Sequence, residues 1–137
     1  MTQPHSQILL SVRPLDPVQV LDFLSVTAQN EEILMFELQA DEAKELIKDD
    51  EILAAKAALT RKELDDCLFD TIQHFCVSQV VIHFCIGPCQ QGDAVAIIGV
   101  TGQDAEEVRR ACDYLHDRIN GQYEPWKYKR LVIEDIR

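Results

Sequence analysis

The residues with the most chemistry to offer lie near the C-terminal end, where Arg118, Lys127, Lys129 and Arg130 gather around Tyr123, Trp126 and Tyr128. Guanidinium and ammonium groups at that density can hold a phosphate or a carboxylate. The plainer reading of the same residues is a solvated edge strand whose lysines keep other chains from pairing with it. A second constellation is His83, Cys85 and Cys89, with Pro88 in the turn between the cysteines. Imidazole and thiolate suit a metal ion, yet a structural zinc site needs four ligands in paired spacing, and a small buried thiol is common in a strand. Cys85 is therefore expected in the core, Cys89 in a turn, and His83 as a hydrogen-bonded core or edge histidine. No metal and no cofactor is expected. A Gly-rich phosphate loop, a G-x-S-x-G elbow and an H-E-x-x-H pair are missing from the chain.

Composition narrows the setting for these residues. The chain has 137 residues, the usual size of one domain, so residues 1–137 are expected to share a single core. With 13 Lys and Arg against 24 Asp and Glu the formal charge is -11, which repels a phosphate backbone and argues against nucleic acid as a partner. A hydrophobic content of 47% with 5 Gly and 5 Pro describes a folded chain rather than a disordered one. No apolar run approaches the roughly 20 residues that span a bilayer, so no membrane association and a cytoplasmic location are expected. Cys67, Cys76, Cys85, Cys89 and Cys112 are odd in number in a chain large enough to need no staples, which points to reduced thiols.

The elements that must position these groups follow from periodicity. Ser6 to Arg13 reads as a strand closed by Pro14, and Asp16 caps a helix that opens on Pro17 and ends near Thr27. Glu31 to Leu38 is a second strand. The acidic stretch 39–51 is expected as a mobile loop or a short solvated helix, and Glu51 to Ala58 as a strand between its neighbours. A capping box of Thr60 and Glu63 starts a helix whose apolar face, Leu64, Cys67, Leu68, Ile72 and Phe75, runs to about Cys76. Ser78 to Gly87 and Asp93 to Val100 form a core hairpin of two apolar strands. Val108, Cys112, Leu115 and Ile119 mark a helix from Asp104 to Asn120, and Lys127 to Ile136 alternates as a last strand. Cys67, Cys76 and Cys112, on helical stripes, should react slowly, and Cys89 fastest. The order predicts an α+β sandwich with a mixed, partly antiparallel sheet and about three helices.

The stretch VVIHFCIGPCQQGDAVAIIGVTG, followed by a helix ending DYLHDR and then by PWK, resembles the large subunit of molybdopterin synthase. The pairs that carry the resemblance are Ile86-Gly87, Gly92-Asp93, Gly99-Val100-Thr101 and Trp126-Lys127. It extends from about Ile8 to Arg130, and Phe36 stands where the family's Phe-x-Gly-x-Val-Arg begins. The resemblance implies an α/β hammerhead type of fold, a homodimer, and a small ubiquitin-like sulfur carrier whose C-terminal tail enters each large subunit. In that family the tail's thiocarboxylate gives sulfur to a cyclic pyranopterin monophosphate in molybdenum cofactor biosynthesis. A phosphate on the substrate and a carboxylate left on the carrier both require cations.

Of the family's cations, Lys127 is retained after Trp126, whereas Asp41, Asp104-Ala105 and His116 stand at the positions of others, and about three extra residues surround Asn120-Gly121. The resemblance thus implies Lys127 and His116 as catalytic groups and Arg118, Lys129 and Arg130 as binders of the pterin phosphate and the carrier tail. The charge reversals at Asp41 and Asp104 equally fit a homologue that keeps the fold and dimer as a binding or regulatory module. The hairpin Val80 to Val100 and the strand after Lys127 are expected to supply the dimer interface through exposed apolar edges.

Overall fold

The computed structural model describes residues 6–27, 31–40, 43, 45, 47–122 and 128–134. Local signals set most of its elements. The first strand, β1, is Gln7–Ser11. Asp16 then accepts the Val18 amide on Oδ1 at 3.0 Å, and α1 runs Pro17–Thr27, with proline's fixed φ suited to the first helical position. The strand β2 is Glu32–Ala40. Two apolar strands, β3 (Gln79–Cys85) and β4 (Ala94–Gly102), form the expected antiparallel hairpin, paired from Gln79 opposite Thr101 to Phe84 opposite Ala96. The Asp104 carboxylate accepts the amides of Glu106 and Glu107 and starts α3, Ala105–Gln122, which passes through Asn120-Gly121 before ending. The last strand, β5, is Tyr128–Glu134.

The expectation of a strand at Glu51 to Ala58 is overturned. That stretch is the first third of α2, a single helix over Asp50–His74. Asp49 sits in extended conformation and its side chain accepts the amides of Glu51 and Ile52, so the acidic stretch ends as a helix cap and first turn, where negative charge is favourable. Four alanines in the run lose no side-chain entropy in a helix. Thr60, read as a cap, is buried inside the helix instead. The helix ends at His74, where the Phe75 amide donates to the Thr71 carbonyl. Cys76 therefore falls beyond the helix and is exposed, not carried on its apolar stripe.

The five strands form one sheet in the order β1-β3-β4-β2-β5, with β1 parallel to β3 and the other pairings antiparallel. The hairpin β3–β4 is the middle of the sheet, so it has no free edge with which to pair a second copy; the edges are β1 and β5. One face carries α2 and α3: Phe36, Leu38, Ile82, Phe84 and Ile98 pack with Leu64, Cys67, Cys112, Leu115 and Ile119. The other carries α1, whose Val20 and Leu24 cover Ile33, Met35, Val81 and Ile97. The architecture is α+β. No helix among the described residues is long and apolar enough to cross a membrane.

Candidate functional site

The Gly-Asp motif of the β3–β4 loop has a mechanical duty. Gly92 takes φ +92°, a conformation that L side chains rarely adopt, and its amide donates to the Ala40 carbonyl at 2.8 Å. Ala40 in turn donates to the Asp93 carbonyl, and Asp93 Oδ2 accepts the Gln90 amide, each at 2.8 Å. These bonds tie the loop to the end of β2. Gly87, on the other side, lies under the chain leaving β1: a Cβ there would stand 2.0 Å from the Val12 carbonyl oxygen. The Ile86 amide donates to the Ser11 carbonyl at 2.8 Å, which holds the two segments together.

Between these anchors lies a cavity of about 600 Å³, lined by Pro14, Glu45, Lys48, Pro88, Cys89, Gln90 and Asp93. The strand β5 begins at this end of the sheet, where Tyr128 pairs with Ala40. An ammonium, two carboxylates and a thiol thus meet where the motif loop, the segment after β1 and the stretch before α2 converge. Sequence reading missed Lys48 because it sits in an acidic run. The signal that points to it is the Gly92-Asp93 motif, whose loop builds the cavity wall.

The residues singled out from the sequence are distributed more widely. His116 lies on α3 with its ring edge against Phe36, 5.4 Å between centroids, its Nδ1 3.3 Å from Asp117 Oδ1, and its side chain only 17% exposed. Phe36 is four positions along β2 from Ala40, about 13 Å at strand spacing, so His116 stands away from the cavity. Arg118 donates to Asp70 Oδ2 of α2 at 3.0 Å and to the Tyr114 hydroxyl, with its guanidinium over the Tyr114 ring. The bond to Asp70 raises the pKa of Arg118 above its ordinary value. Two positions apart means about 200° around a helix, so His116 faces β2 and Arg118 faces α2, on opposite flanks of the Leu115 and Ile119 stripe.

On β5, position 130 is opposite Leu38 and position 129 opposite Gln39, so the two belong to opposite faces of the sheet. Lys127, with Tyr123, Trp126 and Asp41, lies outside the described residues. Asp104 and Ala105 are near the far end of β4, about 27 Å along the strand from Ala94, beside a second cavity that also takes in Cys76 and Ser78.

The remaining polar candidates are held in the core. His83 Nε2 is 2.9 Å from Gln7 Oε1, and burial lowers its pKa. Cys89 is buried in the cavity wall rather than exposed in a turn, because the Asp93 bonds fold the loop inward. Cys67 is buried as expected, and burial pushes its thiol upward against the opposing pull of Arg118. All five cysteines are free thiols. Glu37 is buried on β2, and its Oε2 finds no hydrogen-bond partner among the described residues. Among the described residues no group of three or more His, Cys, Asp or Glu is placed to hold a metal ion.

No protein-family model and no curated protein matches the sequence. Solved structures do. The molybdopterin biosynthesis MoaE protein from Burkholderia ambifaria is similar with a TM-score of 0.62 at 12% identity, over 90% of this chain and 89% of that one. Molybdopterin synthase from Staphylococcus aureus is similar with a TM-score of 0.61 at 16% identity, over 100% and 95%. In the protein-protein complex of subunits 1 and 2 of the molybdopterin-converting factor from Helicobacter pylori, the matching chain gives 0.57 at 9% identity, over 95% and 86%. From β1 to β5, this chain has the fold of those molybdopterin biosynthesis proteins.

Proposed function

We propose that this chain is a large-subunit-type protein of molybdenum cofactor biosynthesis that receives the C-terminal tail of a small ubiquitin-like sulfur carrier in the cytoplasm. The observation that carries the reading is the likeness in fold over 90–100% of the chain to structures of molybdopterin biosynthesis proteins, one of them solved as a complex of two subunits. The motif residues add to it, since Gly87, Gly92 and Asp93 shape the end of the sheet at which β5 begins. In this reading the protein is a homodimer that moves sulfur to cyclic pyranopterin monophosphate. In each transfer the thiocarboxylate C–S bond breaks, sulfur replaces an oxygen on a carbon of the pyranopterin side chain as that C–O bond breaks, the displaced oxygen leaves with a proton, and water supplies the oxygen of the carboxylate left on the carrier. Lys127 and His116 serve the transfer, while Lys129 and Arg130 hold phosphate and tail. Arg118, already engaged by Asp70, contributes through the packing of α3 on α2.

A second reading, a degenerate homologue acting as a dimeric binding or regulatory module, is favoured by one observation. Asp104, at a family cation position, is committed to capping α3. One assay separates the two: thiocarboxylated carrier and pyranopterin precursor are supplied and molybdopterin is measured. Transfer that falls about a hundredfold or more in Lys127→Ala and rises in His116→Lys supports the enzyme. Carrier capture without product in any form supports the module. A chain that neither captures the carrier nor makes product refutes both readings.

A further inference from the structure

Among the described residues, Glu37 is the only acidic side chain that the core buries, at 8% exposure. It stands between Met35 and Gln39 on the face of β2 that α1 covers, and its Oε2 takes no hydrogen bond among the described residues. An ionised carboxylate shut away from water without a partner is costly, so folded chains answer it with a cation or a donor. The helix α1 cannot supply the cation, because its sequence, PVQVLDFLSVT, holds no lysine, arginine or histidine.

The sheet register shows where a cation can come from. Towards β4, Glu37 is opposite Ile97, and the next residue in that row, His83, turns Nε2 to Gln7 on the far side. Towards β5, Glu37 is opposite Leu131, and its diagonal neighbours are positions 129 and 133, a lysine and an isoleucine. Residues opposite one another share a face, so Lys129, opposite Gln39, belongs to the same face as Glu37. Diagonal neighbours lie about 7–8 Å apart, within reach of two long side chains. Among the described positions that adjoin Glu37 in register, Lys129 alone is basic. It is the second residue of β5, one step from the pairing of Tyr128 with Ala40, at the end of the sheet where Ala40 is bonded to Gly92 and Asp93.

We propose that Glu37 is a positioning residue: its carboxylate pairs with the ammonium of Lys129 and holds it at the start of β5, leaving the remaining N–H donors of that ammonium for the anionic tail of the carrier. The pair rests on the register alone, and the use made of it rests on the sulfur-transfer reading given above. Arg130 belongs to the opposite face of β5 and takes no part in it.

The test is a double-mutant cycle in the full chain, read first by urea unfolding. Glu37→Gln and Lys129→Met should each lower the urea midpoint, Lys129→Met the more, because it leaves a buried carboxylate unanswered. The folding equilibrium constant of the combined variant should exceed, by about tenfold or more, the value that two independent losses would give. If Glu37→Gln raises the midpoint and Lys129→Met leaves it unchanged, there is no pair and the proposal falls. Should Lys129→Met be unfolded in buffer, a folded combined variant gives the same support and an unfolded one overturns the pair. The second readout uses thiocarboxylated carrier and pyranopterin precursor. Glu37→Gln should raise the KM for carrier about fivefold in the parent chain and not in the Lys129→Met background. An equal rise in both backgrounds, or none in either, overturns the positioning role. A parent chain that makes no product refutes the sulfur-transfer reading and that role with it, while the urea cycle still decides the pair.

Discussion

His83 and Glu37 lie in one cross-strand row, with Ile97 of β4 between them, and both are buried; His83 is hydrogen-bonded to Gln7, whereas Glu37 Oε2 has no hydrogen-bond partner among the described residues. Gln7 Oε1 can only accept, so Nε2 of His83 is the donor in this bond. Burial lowers the imidazole pKa in the folded chain, while the unfolded chain titrates near its ordinary value of about 6.5. Below that value the unfolded chain binds a proton that the folded chain refuses, so this contribution to stability is complete above about pH 6.5 and is lost as the pH falls. Melting temperature should drop between pH 7 and about pH 5 more steeply in the parent chain than in His83→Gln; parallel curves would remove His83 from the pH response. The thiols make a second residue-level prediction. Cys76 is exposed past the end of α2, whereas Cys67, Cys85, Cys89 and Cys112 are buried. Brief alkylation followed by mass spectrometry should label Cys76 first, and prior labelling of Cys67 would contradict the burial of the α2 stripe.

At the scale of elements, α2 shows how a correct local signal is lost to a wrong count. Its alanine-rich opening has helical propensity, but lying between two other elements it reads as a strand. Among the described residues the sheet is built from β1-β3-β4-β2-β5 without it. The Asp49 cap settles the matter physically, satisfying the amides of Glu51 and Ile52 that the first turn leaves open. Asp49→Ala should cost about 1 kcal/mol, read as a lower urea midpoint with unchanged slope. The cap at Asp16 was legible because its signal, a short acceptor before Pro17, is local, whereas the equally local pair Thr60 and Glu63 fell inside α2. The ion pair of Arg118 with Asp70 was not legible, because 48 residues separate its ends.

At the scale of the molecule, the sheet has two edges, and β5 protects β2. Pairing runs from Leu34 opposite Glu134 to Ala40 opposite Tyr128, so deleting residues 123–137 would strip seven positions of β2 of a neighbour. The truncated chain should aggregate at concentrations where the full chain is clear, as light scattering would show; a monodisperse truncated chain would mean that β5 is dispensable to the edge.

The sequence by itself determined which stretches form helices and strands almost throughout, the antiparallel hairpin, the α+β class and the resemblance whose glycines the structure puts to use. These rest on periodicity, capping and turn chemistry, which act over a few residues and can be read in a short window. Only the tertiary structure decided the order β1-β3-β4-β2-β5, the turning of His116 and Arg118 to opposite flanks of α3, and the joining of Lys48 to the Pro88–Asp93 loop around one cavity. Those choices depend on burying both faces of the sheet at once, through contacts between residues far apart in the chain, and no local pattern encodes which distant partners will do so.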